Sequence, residues 1–451
     1  MNYALPWLIS LLQGFFLLTA IIPVTARPRM LLLVFWGALT GMATTALLTF
    51  TSFIFFNTLV PAYVITINLG AALWLFFLAK RNTLILPFTK GTVDKLDLIG
   101  VHLLLVCTIP VVLHALLFPD GGWDAWSCWN LKARFLFLGA ENWRGMLDPA
   151  LWRSNTAYPL LLPLENVWYW SFGDQPNTMV TLATSCRITF LMAGLLFFGL
   201  KELGGKASAL LAPLWLMSIM FFVKLASSQY SDLLVGVWFL SALLAFRLFK
   251  ERGHTAYLLL ALMSLGFMSF TKSEGLVLAV IALTAMGLDI ILSADSRKAA
   301  LNAWPHLAWA AGLAFSPTIY FQLCLAPDSH TFINGLVSAT KPASIERLQA
   351  ALMFLGIEVL SPKWNGFWLI LAGGIILAGI KALRRGLWVV PAIIGLYLLS
   401  VVAVYTINTF FEIFWWLSTT LNRILFALLP ALVFWLFSTL QADPKYKNRA
   451  E

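Results

Sequence analysis

The chain has 451 residues, of which 60% are hydrophobic and 11% charged, and its formal net charge is +10. A soluble domain carries charge on roughly a quarter of its residues, so water is excluded as the main solvent and a length-based domain count does not apply. The positive balance does not imply nucleic acid, because the charges gather in short hydrophilic breaks between apolar runs.

From the N-terminus, apolar segments fall at about Leu5 to Ile22, Met30 to Phe50, Pro61 to Ala79, Leu98 to Phe118, Thr178 to Leu200, Ala207 to Leu225 and Leu233 to Phe249. Others follow at Tyr257 to Phe270, Leu276 to Leu292, Pro305 to Leu323, Phe367 to Ile380, Leu387 to Tyr405 and Ile424 to Leu440, giving about 13 candidate spans. In lipid each must satisfy its own backbone hydrogen bonds, which predicts an all-α polytopic transmembrane bundle. The first run is expected to stay as a span and not to be removed as a leader, since Met1 to Gln13 carries no basic side chain and Arg27 and Arg29 follow the run. The organisation expected is N-terminal helices over 1–97, a main membrane module over 98–440 and a tail over 441–451.

Alternate breaks hold Arg27 and Arg29; Lys80, Arg81, Lys90 and Lys95; Lys201 and Lys206; Arg247, Lys250 and Arg252; Arg297 and Lys298; Lys381, Arg384 and Arg385; and Lys445, Lys447 and Arg449, which is 19 of the 30 basic residues. Basic residues in short loops stay cytoplasmic, so this side is expected inside and the N-terminus outside. The opposite side has two long loops, 119–177 and 326–366. The first contains helix-like stretches at Ala125 to Leu138 and Leu162 to Trp170, rich in aromatic residues that suit a membrane interface, and most of the 20 tryptophans are expected as interface anchors. The four cysteines have no CxxC or Cys/His spacing and are read as unpaired, and the five scattered histidines as structural.

The stretch Asp120-Gly-Gly-Trp-Asp124-Ala-Trp-Ser-Cys-Trp-Asn-Leu-Lys132-Ala-Arg134 places two carboxylates near a helix start on the outer side. A turn at Asp120 and a helix cap at Asp124 would account for both. Other polar residues fall at the same boundary on different helices: Tyr158 and Glu165, Asp232 beside Tyr230, Lys272 and Glu274, and Arg423, with Arg187 and Lys224 as further cations at that level. Ionisable groups at membrane depth line a cavity or pair with one another. Such a set can hold a phosphorylated lipid while a sugar leaves it: a cation neutralises the departing phosphate and a carboxylate takes the acceptor's proton. The carboxylates can instead hold a divalent metal, Mg or Mn, with Asp124 a ligand. Cap, cap-like and snorkelling roles compete with these for Asp232, Lys132 and Arg134.

The pattern Trp123-Asp124-Ala-Trp126-x-x-Trp129-Asn-Leu-Lys132-Ala-Arg134, then Tyr158-Pro-Leu-Leu-Leu-Pro163-Leu-Glu165, then Thr271-Lys272-Ser-Glu274-Gly275, resembles the polytopic glycosyltransferases of the GT-C superfamily, in particular the bacterial branch of aminoarabinose and protein-mannosyl transferases. The resemblance spans roughly Leu98 to Leu440. It implies a transferase in the bacterial plasma membrane, with its site facing outside, that moves a sugar from a polyprenyl-phosphate donor to a glycan, lipid or protein acceptor. Asp124 matches the acidic position that serves as base or metal ligand, and Asp120 is a weaker second. The expected phosphate or substrate contacts are Lys132, Arg134, Tyr158, Glu165, Arg187, Asp232, Lys272, Glu274 and Arg423. The competing expectations are a flippase for lipid-linked oligosaccharides, marked by polar residues deep in many spans, and a metal-independent polysaccharide polymerase or ligase that leans on Arg423 and Arg187.

Overall fold

A computed structural model of the chain describes residues 4–82, 93–327, 344–379 and 387–440. The helices in chain order are α1 Ala4–Ile21, α2 Met30–Phe56, α3 Pro61–Arg81, α4 Lys95–Leu117, α5 Asn130–Leu138, α6 Leu161–Trp170, α7 Thr178–Glu202, α8 Lys206–Ser218 and α9 Met220–Ser227. They continue as α10 Ser231–Arg252, α11 Ala256–Ser269, α12 Ser273–Leu292, α13 Ala294–Asn302, α14 Trp304–Tyr320, α15 Ile345–Leu360, α16 Phe367–Ala378, α17 Val389–Ile407 and α18 Ile413–Leu440. The fold is all-α, with no strand among the described residues.

Among the described residues each predicted apolar segment falls largely on helix, and ten helices there are long and apolar enough to cross a membrane. An eleventh span arises if α8 and α9 count together; they meet at a 77° bend where Ile219 turns extended and interrupts the hydrogen-bond ladder. The segments at α11 and α16 have only 14 and 12 residues, short of the ~20 that a straight span requires. The protein is therefore an integral membrane protein. Within the bundle α10 is buried almost throughout, and α7, α11 and α18 pack around it, whereas α3 and α14 turn apolar side chains outward in the manner of lipid-facing helices. The backbones of α1 and α2 touch, since a Cβ on Gly14 would lie 1.9 Å from the Gly37 carbonyl oxygen. Small residues permit such close approach where helices gain by van der Waals contact and not by the hydrophobic effect.

In the first long loop, α5 keeps an exposed face with Arg134 and Leu138, whereas α6 is buried along its whole length between α2, α5 and α7. Many tryptophans are likewise core and not interface residues: Trp36, Trp129, Trp143, Trp168, Trp170, Trp238 and Trp364 are enclosed, with indole hydrogen bonds such as Trp168 to Ser10 (3.0 Å) and Trp36 to Ser241 (2.6 Å). The four cysteines are free.

Charged side chains gather at both ends of the bundle. At one end, the N-terminus of α4 and the C-termini of α7 and α10 meet. Lys201 binds Asp94 (2.7 Å) and Asp97, Arg29 binds Asp94 (3.3 Å), and Arg252 binds Glu202. Nearby, Lys250 binds Asp289 (2.8 Å), which also accepts from the Trp388 indole (2.8 Å). On the basic side predicted from sequence, Arg29, Lys201, Arg247, Lys250 and Arg252 are thus ion-paired. Its members Lys90, Lys381, Arg384, Arg385, Lys445, Lys447 and Arg449 lie outside the described residues, as do His330, the tail and the middle of the loop 326–366.

Candidate functional site

At the other end, the loop after α4 meets the link between α9 and α10. Gly121 has φ +75°, a conformation open to glycine, and a Cβ there would sit 2.7 Å from the Ser228 carbonyl. The Gly122 N–H donates to that same carbonyl (3.0 Å), and a Cβ on Gly122 would come within 2.5 Å of the Tyr230 hydroxyl. From the partner turn, Gln229 donates to the Pro119 carbonyl (2.7 Å) and accepts from Asn130 (2.8 Å). The Asp120-Gly-Gly turn therefore seats Asp124 against the start of α10.

Asp124 is not a helix cap, for its side chain makes no capping bond. The five residues after it, Ala125–Trp129, form a π-helical turn, a wider coil that recurs at functional sites because it redirects side chains. The Asp124 carboxylate lies 2.7 Å from Arg423 Nη2 on α18. Asp232 does not cap α10 either. It accepts from Arg423 through Nε (3.2 Å) and Nη2 (3.0 Å) and from Lys272 (2.9 Å). Lys272 also lies 3.2 Å from Glu274, whose Oε1 accepts from the Tyr158 hydroxyl (3.0 Å). Rings back both cations: Arg423 lies 4.7 Å from the Tyr230 centroid and Lys272 5.4 Å from that of Tyr158, which stacks on Trp129. Burial raises the Tyr158 phenol well above its ordinary value, and the adjacent Glu274 carboxylate raises it further, so the hydroxyl keeps its proton and acts as a donor.

This cluster forms part of the wall of a cavity of about 840 Å³. Asp124, Tyr158, Tyr230, Lys272, Glu274 and Arg423 supply its polar surface; Val401, Val404, Trp415, Trp416 and Ile424 of α17 and α18 supply an apolar one. Trp123, Trp152 and Trp415, each about half exposed, line it from three separate elements. Asp232 stands behind, holding both cations.

The remaining sequence-predicted residues lie elsewhere. Lys132 is enclosed and its ammonium is fully engaged by the carbonyls of Asn155 (2.8 Å), Thr156 (3.2 Å) and Tyr158 (2.7 Å), so it braces the 155–158 loop and is not offered to a phosphate. Burial brings its pKa down to about 8. Glu165 and Arg187 form a separate buried pair, with the guanidinium also bonded to the Tyr169 hydroxyl and lying over the rings of Trp7 and Tyr169; neither residue lines the cavity. Burial pushes the Glu165 carboxyl up to about 7 against the pull of Arg187. Asp120 and Arg134 are exposed and lie away from the cavity wall.

Sequence reading missed Trp152, Arg153, Tyr405 and the α18 residues Trp415, Trp416, Thr419 and Thr420. A signal for the last group was present. Trp416, Thr420 and Ile424 recur at the four-residue spacing that puts side chains on one helix face, as do Trp415, Thr419 and Arg423.

As a metal site the cavity fits poorly. Among the described residues no group of three or more His, Cys, Asp or Glu is placed to hold an ion. The three carboxylates of the cluster are interleaved with two cations, and a hard divalent ion would have to displace Arg423 or Lys272 to gain a second ligand.

Fold and site together define a polytopic helical membrane protein with a half-apolar cavity walled by a buried ion-pair cluster. No family model, curated protein or solved structure matches the chain.

Proposed function

We propose that the protein is a membrane glycosyltransferase that takes a sugar from a polyprenyl-phosphate donor and passes it to a glycan, lipid or protein acceptor of the cell envelope. The observation that carries the reading is the contact between Asp124 and Arg423 on the wall of a cavity whose other wall is apolar. A lipid phosphate has both an anionic head, suited to the Arg423 fork, and a hydrocarbon chain, suited to Val401, Val404 and Ile424.

In this reading the acceptor hydroxyl oxygen attacks the anomeric carbon while the bond from that carbon to the phosphate oxygen breaks. The electron pair leaves with the phosphate, where Arg423 and Lys272 neutralise it, and Asp124 takes the acceptor proton. Asp232 keeps the two cations in place. The residues present do not fit a metal, and no step runs through one. The reading puts this site on the outer face of a bacterial plasma membrane, and the gathering of the basic breaks at the opposite end of the bundle supports the outward orientation.

Purified protein in reconstituted membranes, supplied with a panel of polyprenyl-phosphate sugars, provides the test. Wild type should consume one donor and Asp124→Ala should not, with insertion of both unchanged and activity surviving a chelator. A fully active Asp124→Ala protein removes that residue from the reaction; intact lipid translocation without donor consumption replaces the enzyme with a carrier.

A further inference from the structure

The charges in and behind the cavity wall do not balance. Two cations, Lys272 and Arg423, face three carboxylates, Asp124, Asp232 and Glu274, which leaves the cluster with a negative charge in excess. Both cations are already engaged: Arg423 contacts Asp124 and Asp232, and Lys272 contacts Asp232 and Glu274. An anion that approaches this cluster meets no net attraction, and it gains a cation only where a carboxylate gives way.

One charged residue of the wall stands outside that network. Arg153 is exposed, lines the cavity and, among the described residues, makes no ion pair and no side-chain hydrogen bond. Its guanidinium carbon lies 5.2 Å from the ring centroid of Trp152, which lines the cavity too. Trp152 meets Phe410 edge-on at 6.4 Å, so the platform under Arg153 rests against the link between α17 and α18. The residues that follow it in the chain are tied down by Lys132 through the carbonyls of Asn155, Thr156 and Tyr158. Arg144 is likewise placed over a tryptophan, Trp143, but it does not line the cavity. A guanidinium resting on an aromatic face keeps the donors of its planar fork for an anion.

Building on the proposed glycosyltransferase reading, we propose that Arg153 is the residue that gives the cavity its affinity for a lipid phosphate, and that it thereby selects phosphorylated polyprenyl chains over uncharged ones. Arg153 attracts the phosphate without displacing a carboxylate. Arg423 and Lys272, each held by carboxylates, act instead on the charge that grows on the phosphate as its bond to the sugar breaks. An interaction made equally before and during reaction lowers KM, whereas one that strengthens with the developing charge raises kcat.

The test titrates the full chain, in phosphatidylcholine nanodiscs, with polyprenyl phosphate and with uncharged polyprenol, and reads the ratio of the two affinities. Each variant's own polyprenol binding is the reference, so a general disturbance of the cavity cancels. Arg153→Gln should lower the ratio by about tenfold, a modest change because an exposed charge is screened, and Arg153→Lys should retain most of the wild-type ratio. An unchanged ratio in Arg153→Gln overturns the proposal. So does a lysine variant as deficient as the glutamine one, since the loss is then one of packing on Trp152 and not of charge. Addition of phosphatidylglycerol should leave the wild-type preference in place; its disappearance would assign Arg153 to the headgroups of the surrounding bilayer and overturn the proposal. Wild type that binds polyprenol as tightly as polyprenyl phosphate overturns the donor reading itself, whereas a wild-type preference that survives Arg153→Gln defeats only the assignment to Arg153.

Discussion

Arg423 is the residue on which the cluster turns, and its two carboxylate partners are not equivalent. Asp232 holds it through two nitrogens and is itself tied to Lys272, whereas Asp124 makes one contact and stands at the cavity wall. In the proposed reaction an incoming phosphate would compete with Asp124 for the guanidinium and so free Asp124 to act as a base. Asp124→Asn should therefore bind bare polyprenyl phosphate more tightly, by up to about tenfold, while turnover falls by about 100-fold or more. Weaker binding in that variant would mean that Asp124 contributes to holding the ligand. Lys132 behaves differently. Replacing it with Met leaves three loop carbonyls without their donor, so the cost should be roughly 3 kcal/mol or more of stability, read as a lower Tm in detergent, with lipid binding by the folded fraction unchanged. Sequence made Asp124, Asp232, Lys272, Glu274 and Arg423 legible because an ionisable group in so apolar a chain needs a partner or a cavity. It could not distinguish Lys132 from them, since the partners of Lys132 are backbone carbonyls, which leave no trace in residue identity.

At the scale of elements, two turns do the positioning. The Asp120-Gly-Gly turn and the Ser228-Gln229-Tyr230 link are stitched through the Ser228 and Pro119 carbonyls, and they leave no space for a side chain at position 122. Gly122→Ala should push Tyr230 away from its place beneath Arg423. The expected stability loss is about 1–3 kcal/mol, as for other overpacking changes, with turnover affected more than Tm. A variant as active as wild type would show that Tyr230 does not hold Arg423. Helix identity was legible throughout, because lipid admits no other unpaired backbone. Helix burial was not: α6 reads as an interfacial aromatic segment yet is enclosed, because which face of an all-apolar helix meets protein and which meets lipid is decided by its neighbours, here α2, α5 and α7. The apolar wall from α17 and α18 was missed for the same reason.

At the scale of the molecule, the bundle is closed by charge at one end and opened by a cavity at the other. The closed end joins α2, α4, α7 and α10 through Lys201, Asp94, Asp97, Arg29, Glu202 and Arg252, and these ties hold the helices whose far ends carry the turn after α4, the start of α10 and the cavity. Asp94 is half exposed, yet its hydrogen bond to Lys201 lowers its pKa from 3.8 to about 2. A depressed carboxyl pKa means that the folded protein holds its proton less readily than the unfolded chain. The stabilisation is therefore complete above about 3.8 and disappears as pH falls towards about 2. Solvent screening keeps the contribution small for so exposed a group. Asp94→Asn should accordingly melt below wild type at neutral pH and converge with it in strong acid, while donor turnover per folded molecule stays the same. A gap that persists at the acid limit would assign the loss to the Asp94 cap on α4, where the side chain accepts from the Asp97 N–H at 2.9 Å, and not to its charge. A fall in turnover per folded molecule would instead show that the closed end is coupled to the cavity through the four helices it joins.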